Sequence, residues 1–172
     1  LFYTQTGIAY DDVYKSANNQ PLGDVFQSMT AIGDKLFLCI NNSDKVVVIN
    51  KSDKKLVGTI AIEQPRQILP ISADKAYVSS LYSKKIYIIN PQSLAVTGSF
   101  DMPYESTEDM LLKNGRAYFC PWDTACDKVY VVDPASNSIE KSITVAGRAP
   151  QGIVEDKNGI LWVVSGNVYK KK

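Results

Sequence analysis

The sequence predicts an all-β fold. The form expected is a β-propeller of four-stranded antiparallel blades, with about four blades in the chain as part of a larger ring of about seven. Three observations predict it. An eight-residue phrase is written three times, as SDKVVVIN (43–50), SKKIYIIN (83–90) and CDKVYVVD (126–133). Its surroundings repeat with it: GDKLFLC (33–39), ADKAYVS (73–79), NGRAYFC (114–120) and NGILWVV (158–164) follow one another at a spacing of about forty residues, the period of propeller blades. Composition agrees, because the chain carries 10 Tyr and 2 Trp among many β-branched residues and few long Ala/Leu/Glu stretches, which favours strands.

Each unit parses in the same order. The innermost strand, A, is QSMTAI (27–32), QILPIS (67–72), DMLLK (109–113) or QGIVED (151–156). A tight turn of the Gly-Asp or Asn-Gly kind follows, where positive φ angles are needed. Strand B is LFLCI, AYVSS, AYFCP or LWVVS, and strand C is the repeated phrase. A second turn, rich in Asn, Asp, Pro and Ser, leads to strand D: LVGTIAI, VTGSFDM or IEKSITV. The runs VVVI, IYII and VYVV do not alternate with polar residues, so strand C must be covered on both faces. Neighbouring blades supply that cover, and Val46, Val48, Ile86, Ile88, Val129 and Val131 are expected core. The resulting single domain, 1–172, divides into a partial blade (1–26), blades 27–62, 67–102 and 108–145, and an incomplete blade (150–172). The opening IAYDDVYKS (8–16) reads as a lone outer strand, and the last unit reaches only the start of strand C in GNVYKKK (166–172). A closed four-bladed ring is the alternative to a fragment of a larger one.

Charge and composition exclude several functions. With 19 Lys plus Arg against 18 Asp plus Glu, no global field favours nucleic acid or an anionic membrane. No apolar run is long enough for a transmembrane helix. The N-terminus LFYTQTGIAY lacks Met, a basic region and a small-residue cleavage site, so a processed product or a fragment is expected rather than a signal peptide. Histidine is absent, which removes the commonest general base and zinc ligand, and the three cysteines match no metal-ligand spacing. No metal, cofactor or catalytic residue is assigned.

Written out blade by blade, GRAPQGIVEDKNGILWVVS (147–165) and KVYVVDPASNSIEKSITV (128–145) resemble the YVTN-type propeller repeat. The segment NNQPLGDVFQSM (18–29) resembles the start of the first full blade in secreted, YncE-like surface-layer propellers of gut bacteria. The resemblance implies an extracytoplasmic binding protein, at the cell surface or in the periplasm and commonly lipid-anchored, rather than an enzyme. It also implies that some relatives capture cobalamin at the surface and pass it to an outer-membrane transporter. No ligand motif in this chain singles out cobalamin.

In a propeller the D–A and B–C connections share one rim of the channel. Those loops collect Arg66, Tyr82, Tyr104, Glu105, Trp122, Asp123 and Arg148. Aromatic and Arg side chains on loops held by a rigid scaffold anchor ligands; alternatively they shield the blade tops and pair locally. The partner class is a small molecule or glycan, or an outer-membrane receptor protein. The acidic stretch Asp101, Glu105, Glu108, Asp109 lacks the regular spacing of a calcium loop and reads better as a solvated connection. Cys120 and Cys126 flank the PWDTA loop, where antiparallel neighbours can meet disulfide geometry and export would permit the bond. A propeller hydrolase or lyase, with metal ligands in further blades, is the competing enzymatic reading.

Overall fold

Each repeated phrase ends in Asn or Asp because the turn after it uses that side chain. In the computed structural model, which describes residues 2–3 (backbone only) and 7–166, Asn50 Oδ1 accepts the Ser52 N–H at 2.8 Å. Asn90 Oδ1 accepts from Gln92 at 2.8 Å and Asp133 Oδ1 from Ala135 at 3.1 Å. These Asx turns mimic a backbone turn. Each is closed by a left-handed residue, Lys54, Leu94 or Asn137, with φ of 62°, 56° and 55°. The N–H of each closing residue donates back to the carbonyl of Asn50, Asn90 or Asp133 at 3.0, 2.9 and 2.8 Å. The A–B turns use the left-handed region as well: Asn114-Gly115 takes φ of 50° and 72°, the geometry of a two-residue hairpin.

These turns set out three four-stranded antiparallel sheets. The first is β3 (Phe26–Ile32), β4 (Lys35–Ile40), β5 (Lys45–Asn50) and β6 (Leu56–Ala61). The second is β7 (Pro65–Ser72), β8 (Lys75–Ser80), β9 (Lys85–Asn90) and β10 (Ala95–Asp101). The third is β11 (Thr107–Lys113), β12 (Arg116–Pro121), β13 (Lys128–Asp133) and β14 (Ser138–Thr144). A two-stranded sheet follows, β15 (Pro150–Glu155) with β16 (Leu161–Ser165). Sheets of this kind, each a meander in chain order, are propeller blades, and the four are consistent with part of a larger ring. The third strand anticipated in the last unit falls on residues 167–172, outside the described residues.

The apolar runs serve two seams at once, as their lack of alternation requires. Val46 and Val48 of β5 join Phe37, Cys39, Val78 and Ile89 in the seam between the first and second blades. Val47 and Ile49 face the other way, with Leu38 and Ile40. In the third blade Tyr130 and Val132 pack toward the second, around Tyr77 and Phe119. Val129 packs toward the fourth, with Cys120 and Ile153. Five of the six expected core residues are buried; Ile88 is half-buried beside the Tyr77 cluster. Tyr77 also ties blades together, donating from its hydroxyl to Asn137 Oδ1 at 2.6 Å.

The first strands of successive blades, β3, β7, β11 and β15, approach one another, whereas β14 is exposed along its whole length. The A strands therefore line the channel and the D strands lie outermost. The N-terminal part departs from the expected lone strand. A short hairpin, β1 (Phe2–Tyr3) with β2 (Ala9–Tyr10), leads into α1 (Val13–Asn18). This helix packs Tyr14 on the open face of the first blade near Leu38 and Ile49. Asn18 fixes it there, donating to the Lys54 carbonyl and accepting from the Leu56 N–H. No helix among the described residues is long and apolar enough to cross a membrane.

Candidate functional site at the channel rim

Every A strand begins with the same two irregularities. The residue just before it (Val25, Gln64, Ser106 or Ala149) is left-handed, with φ of 55°, 40°, 56° and 52°, and none of the four is Gly. Each offers its carbonyl to the residue just after strand B: Asn41, Leu81, Trp122 and Gly166 donate at 2.8, 2.9, 2.9 and 2.8 Å. The strand pairing then slips, between Phe26 and Ser28, Pro65 and Ile68, Thr107 and Asp109, and Pro150 and Gly152. A bulge gives one strand an extra residue and re-aims its side chain, and left-handed non-Gly residues store strain of the kind found at ligand sites. The residues so placed are Gln27, Arg66, Glu108 and Gln151, one per blade at the same end of the channel.

Their geometry spans blades. Arg66 donates through Nε to Glu108 Oε2 at 3.0 Å, and through Nη2 to both carboxylate oxygens. Its Nη1 donates to Gln27 Oε1 at 3.2 Å. Three consecutive blades are thereby joined, with the Arg66 and Glu108 side chains only 14% and 19% exposed. A two-point guanidinium–carboxylate pair of this kind is directional as well as attractive. Asp109 continues the belt, its Oδ2 accepting the Ile153 N–H of the fourth blade at 2.9 Å.

The rim residues anticipated from sequence separate into groups. Arg66 lies in the belt, its charge committed to Glu108. Tyr82 and Trp122 are exposed at 74% and 46%. Glu105 and Arg148 are exposed, with Arg148 Nη1 donating to the Thr124 carbonyl at 3.4 Å. The loop bearing Arg148 lies against strand β16, where a side chain at Gly147 would meet Ser165 Cβ at 2.4 Å. Asp123 holds its own turn by accepting the Ala125 N–H at 2.8 Å. Tyr104 is half-buried and packs on the seam, 6.3 Å from the Tyr130 ring. Gln27, Glu108 and Gln151 were not anticipated as a set. Their signal was a polar residue at the same repeat position in every unit, just before the apolar run.

The anticipated Cys120–Cys126 bridge is not formed. All three cysteines are free and buried. Cys120 packs toward the fourth blade with Val129 and Ile153, whereas Cys126 packs toward the second with Phe119 and Tyr130, so the two stand on opposite faces of one sheet. Cys126 Sγ instead accepts the Lys128 N–H at 3.4 Å. Burial pushes the Cys39 thiol up to about 11 and that of Cys120 to about 12, and raises Cys126 as well. Thiolate is the reactive form, so an aromatic disulfide reagent at pH 7.5 should leave all three unlabelled until denaturant is added. Rapid labelling of the native chain would contradict this packing.

Burial likewise pushes the Tyr77 and Tyr130 hydroxyls up to about 12. The folded chain thus holds these thiol and phenol protons more tightly than the unfolded one. That stabilisation is complete below the ordinary thiol value of 9.0, and is lost as pH climbs through the folded values toward about 12. Denaturation midpoints measured across this alkaline range should fall steadily after a plateau on the acid side.

The described residues contain no group of three or more His, Cys, Asp or Glu able to hold a metal ion. Solved structures share the fold. Hydrazine synthase of Kuenenia stuttgartiensis superposes with a TM-score of 0.73 at 16% identity, over 98% of this chain and 47% of that one. The WD40 β-propeller domain of Doa1 gives 0.69 at 14% identity, over 81% of this chain and 47% of the other. The chain thus spans about half the length of each. No curated protein matches it in sequence. A family match covers residues 1–171, nearly the whole repeat array just described, and the chain belongs to that family, DUF5074, a domain of unknown function.

Proposed function

We propose that this chain is part of a non-catalytic, extracytoplasmic propeller that binds a small molecule, glycan or protein partner at the D–A/B–C rim. The observation that carries the reading is the strained, bulged start repeated in four A strands, which sends Gln27, Arg66, Glu108 and Gln151 to one channel end. Non-Gly residues held at φ near 50° cost on the order of 1–3 kcal/mol each, and that cost recurs at the same place in all four blades. The exposed rings of Tyr82 and Trp122 stand on the adjoining loops. A rigid scaffold with polar groups converging beside exposed aromatic surface is the common form of a recognition site.

The extracytoplasmic placement is supported by the resemblance to secreted surface propellers. Protease shaving of intact cells tests it: cleavage of the protein without lysis supports surface display, and protection together with a cytosolic fractionation pattern refutes it. The binding reading is tested by calorimetry on the full-length protein with a small-molecule panel that includes cobalamins. Trp122→Ala and Arg66→Ala should each weaken whatever binds. Affinities that survive both substitutions would place the site elsewhere.

A further inference from the structure

The innermost strand of the first blade is bare where those of the other three are covered. Met29 pairs with Leu38 across the A–B hairpin, and the residues paired in the same way in the later blades are Ile68, Met110 and Ile153. Those three are 6%, 8% and 6% exposed, whereas Met29 is 56% exposed. The strand start repeats the contrast: Pro65, Thr107 and Pro150 are buried, and Phe26 is exposed.

The three formed seams show what Met29 lacks. In each, an aromatic ring from strand B of the preceding blade joins the A-strand residue: Phe37 clusters with Ile68, Tyr77 with Met110, and Tyr118 with Ile153. At the first seam the preceding A strand adds its own bonds, Ser28 Oγ and Thr30 Oγ1 donating to the Arg66 and Ile68 carbonyls. On the first blade only half of this face is made up. Helix α1 and the segment after it bring Tyr14 and Leu22 onto Leu38, Ile40, Val47 and Ile49, all four buried. Beside them a groove of about 800 Å³ remains, lined in part by Phe26, Met29, Leu36 and Leu38. The N-terminal segment thus stands in for the outer half of a preceding blade, and the inner half is what the groove lacks.

We infer that this groove receives an A–B hairpin of the same repeat, carried by further sequence of the protein, with an aromatic residue of its B strand packed on Met29. The β15–β16 hairpin shows the surface such a unit presents: Val154 and its paired Trp162 are both exposed, and Trp162 holds the repeat position of Phe37, Tyr77 and Tyr118. The solved chains on which this one superposes are about twice its length. The incoming hairpin would extend the two-stranded β1–β2 sheet, so that two distant segments make one blade.

The test uses the full-length protein carrying Met29→Cys, against a background of three buried cysteines. Val96→Cys, on the exposed outer strand β10, sets the rate for an open thiol. Met29→Cys should react with a thiol reagent about a hundredfold more slowly, reporting only transient opening of the seam. A photo-crosslinking residue, p-benzoylphenylalanine in place of Phe26, then identifies the occupant. Irradiation should link it to an A–B hairpin outside residues 1–172 of the same polypeptide, located by peptide mapping. Equal reaction of the two thiols overturns the inference, because the face is then open. A product of twice the monomer mass overturns it in favour of a second copy, and links confined to residues 1–172 overturn it as well. Protection with no protein crosslink overturns it in favour of a small amphiphile.

Discussion

Phe119→Ala should destabilise the folded chain by about 3–5 kcal/mol, the cost of removing a large buried aromatic side chain. Phe119 has no exposed surface. Its ring lies 5.9 Å from Tyr77 and 6.0 Å from Phe100, the latter edge-on at 80°. All three belong to the seam between the second and third blades, with Met102, Met110 and Val132 around them. Seams are the only long-range glue a repeat array has, so a void in one is not shared with a larger core. Against a usual total of about 5–15 kcal/mol, the loss would lower the melting temperature by on the order of 10 °C. Urea titration should show the midpoint fall with the slope retained. Val96→Ala on the outer strand β10, where the side chain is 44% exposed, should cost under about 1 kcal/mol. Equal losses at the two positions would mean that the seam is not the principal source of stability.

That seam was legible because apolar runs and turn residues report packing directly. The phrase ending in Asn50, Asn90 or Asp133 showed both the doubly covered strand and the turn after it. Helix α1 was not legible. Its six residues, VYKSAN, have ordinary propensity and lie between left-handed Asp12 and Asn19, and it is held by packing against the first blade and the bonds of Asn18. The rim was half legible. Arg66 and Trp122 stand out by residue type, whereas Glu108 sits in an acidic run and reads as solvated until the bulge at Thr107–Asp109 turns it toward Arg66. A one-residue slip reverses which face a strand side chain occupies, and no single-strand pattern reveals such a slip. Tyr104 shows the opposite error: on a loop by sequence, it is drawn into the seam by the neighbouring Tyr130 ring.

Arg66→Ala and Glu108→Ala should each cost about 2–4 kcal/mol, and the double substitution clearly less than their sum. Each single change strands the remaining partner on an A strand where fewer than two in ten parts of its side chain meet water. Breaking a buried pair by removing one member costs about 3–5 kcal/mol, and the residual exposure reduces that here. Removing both members leaves no stranded charge, so the coupling measured by the cycle should be about 1–3 kcal/mol and favourable. Additivity would show that solvent screens the pair fully despite its two-point geometry. The cycle also separates structure from recognition. If the belt only sets the spacing of the blades, the Arg66→Met/Glu108→Leu pair, which keeps bulk at both positions, should restore ligand affinity along with stability. If the guanidinium or carboxylate touches the ligand, stability should return in that double variant while affinity stays lost.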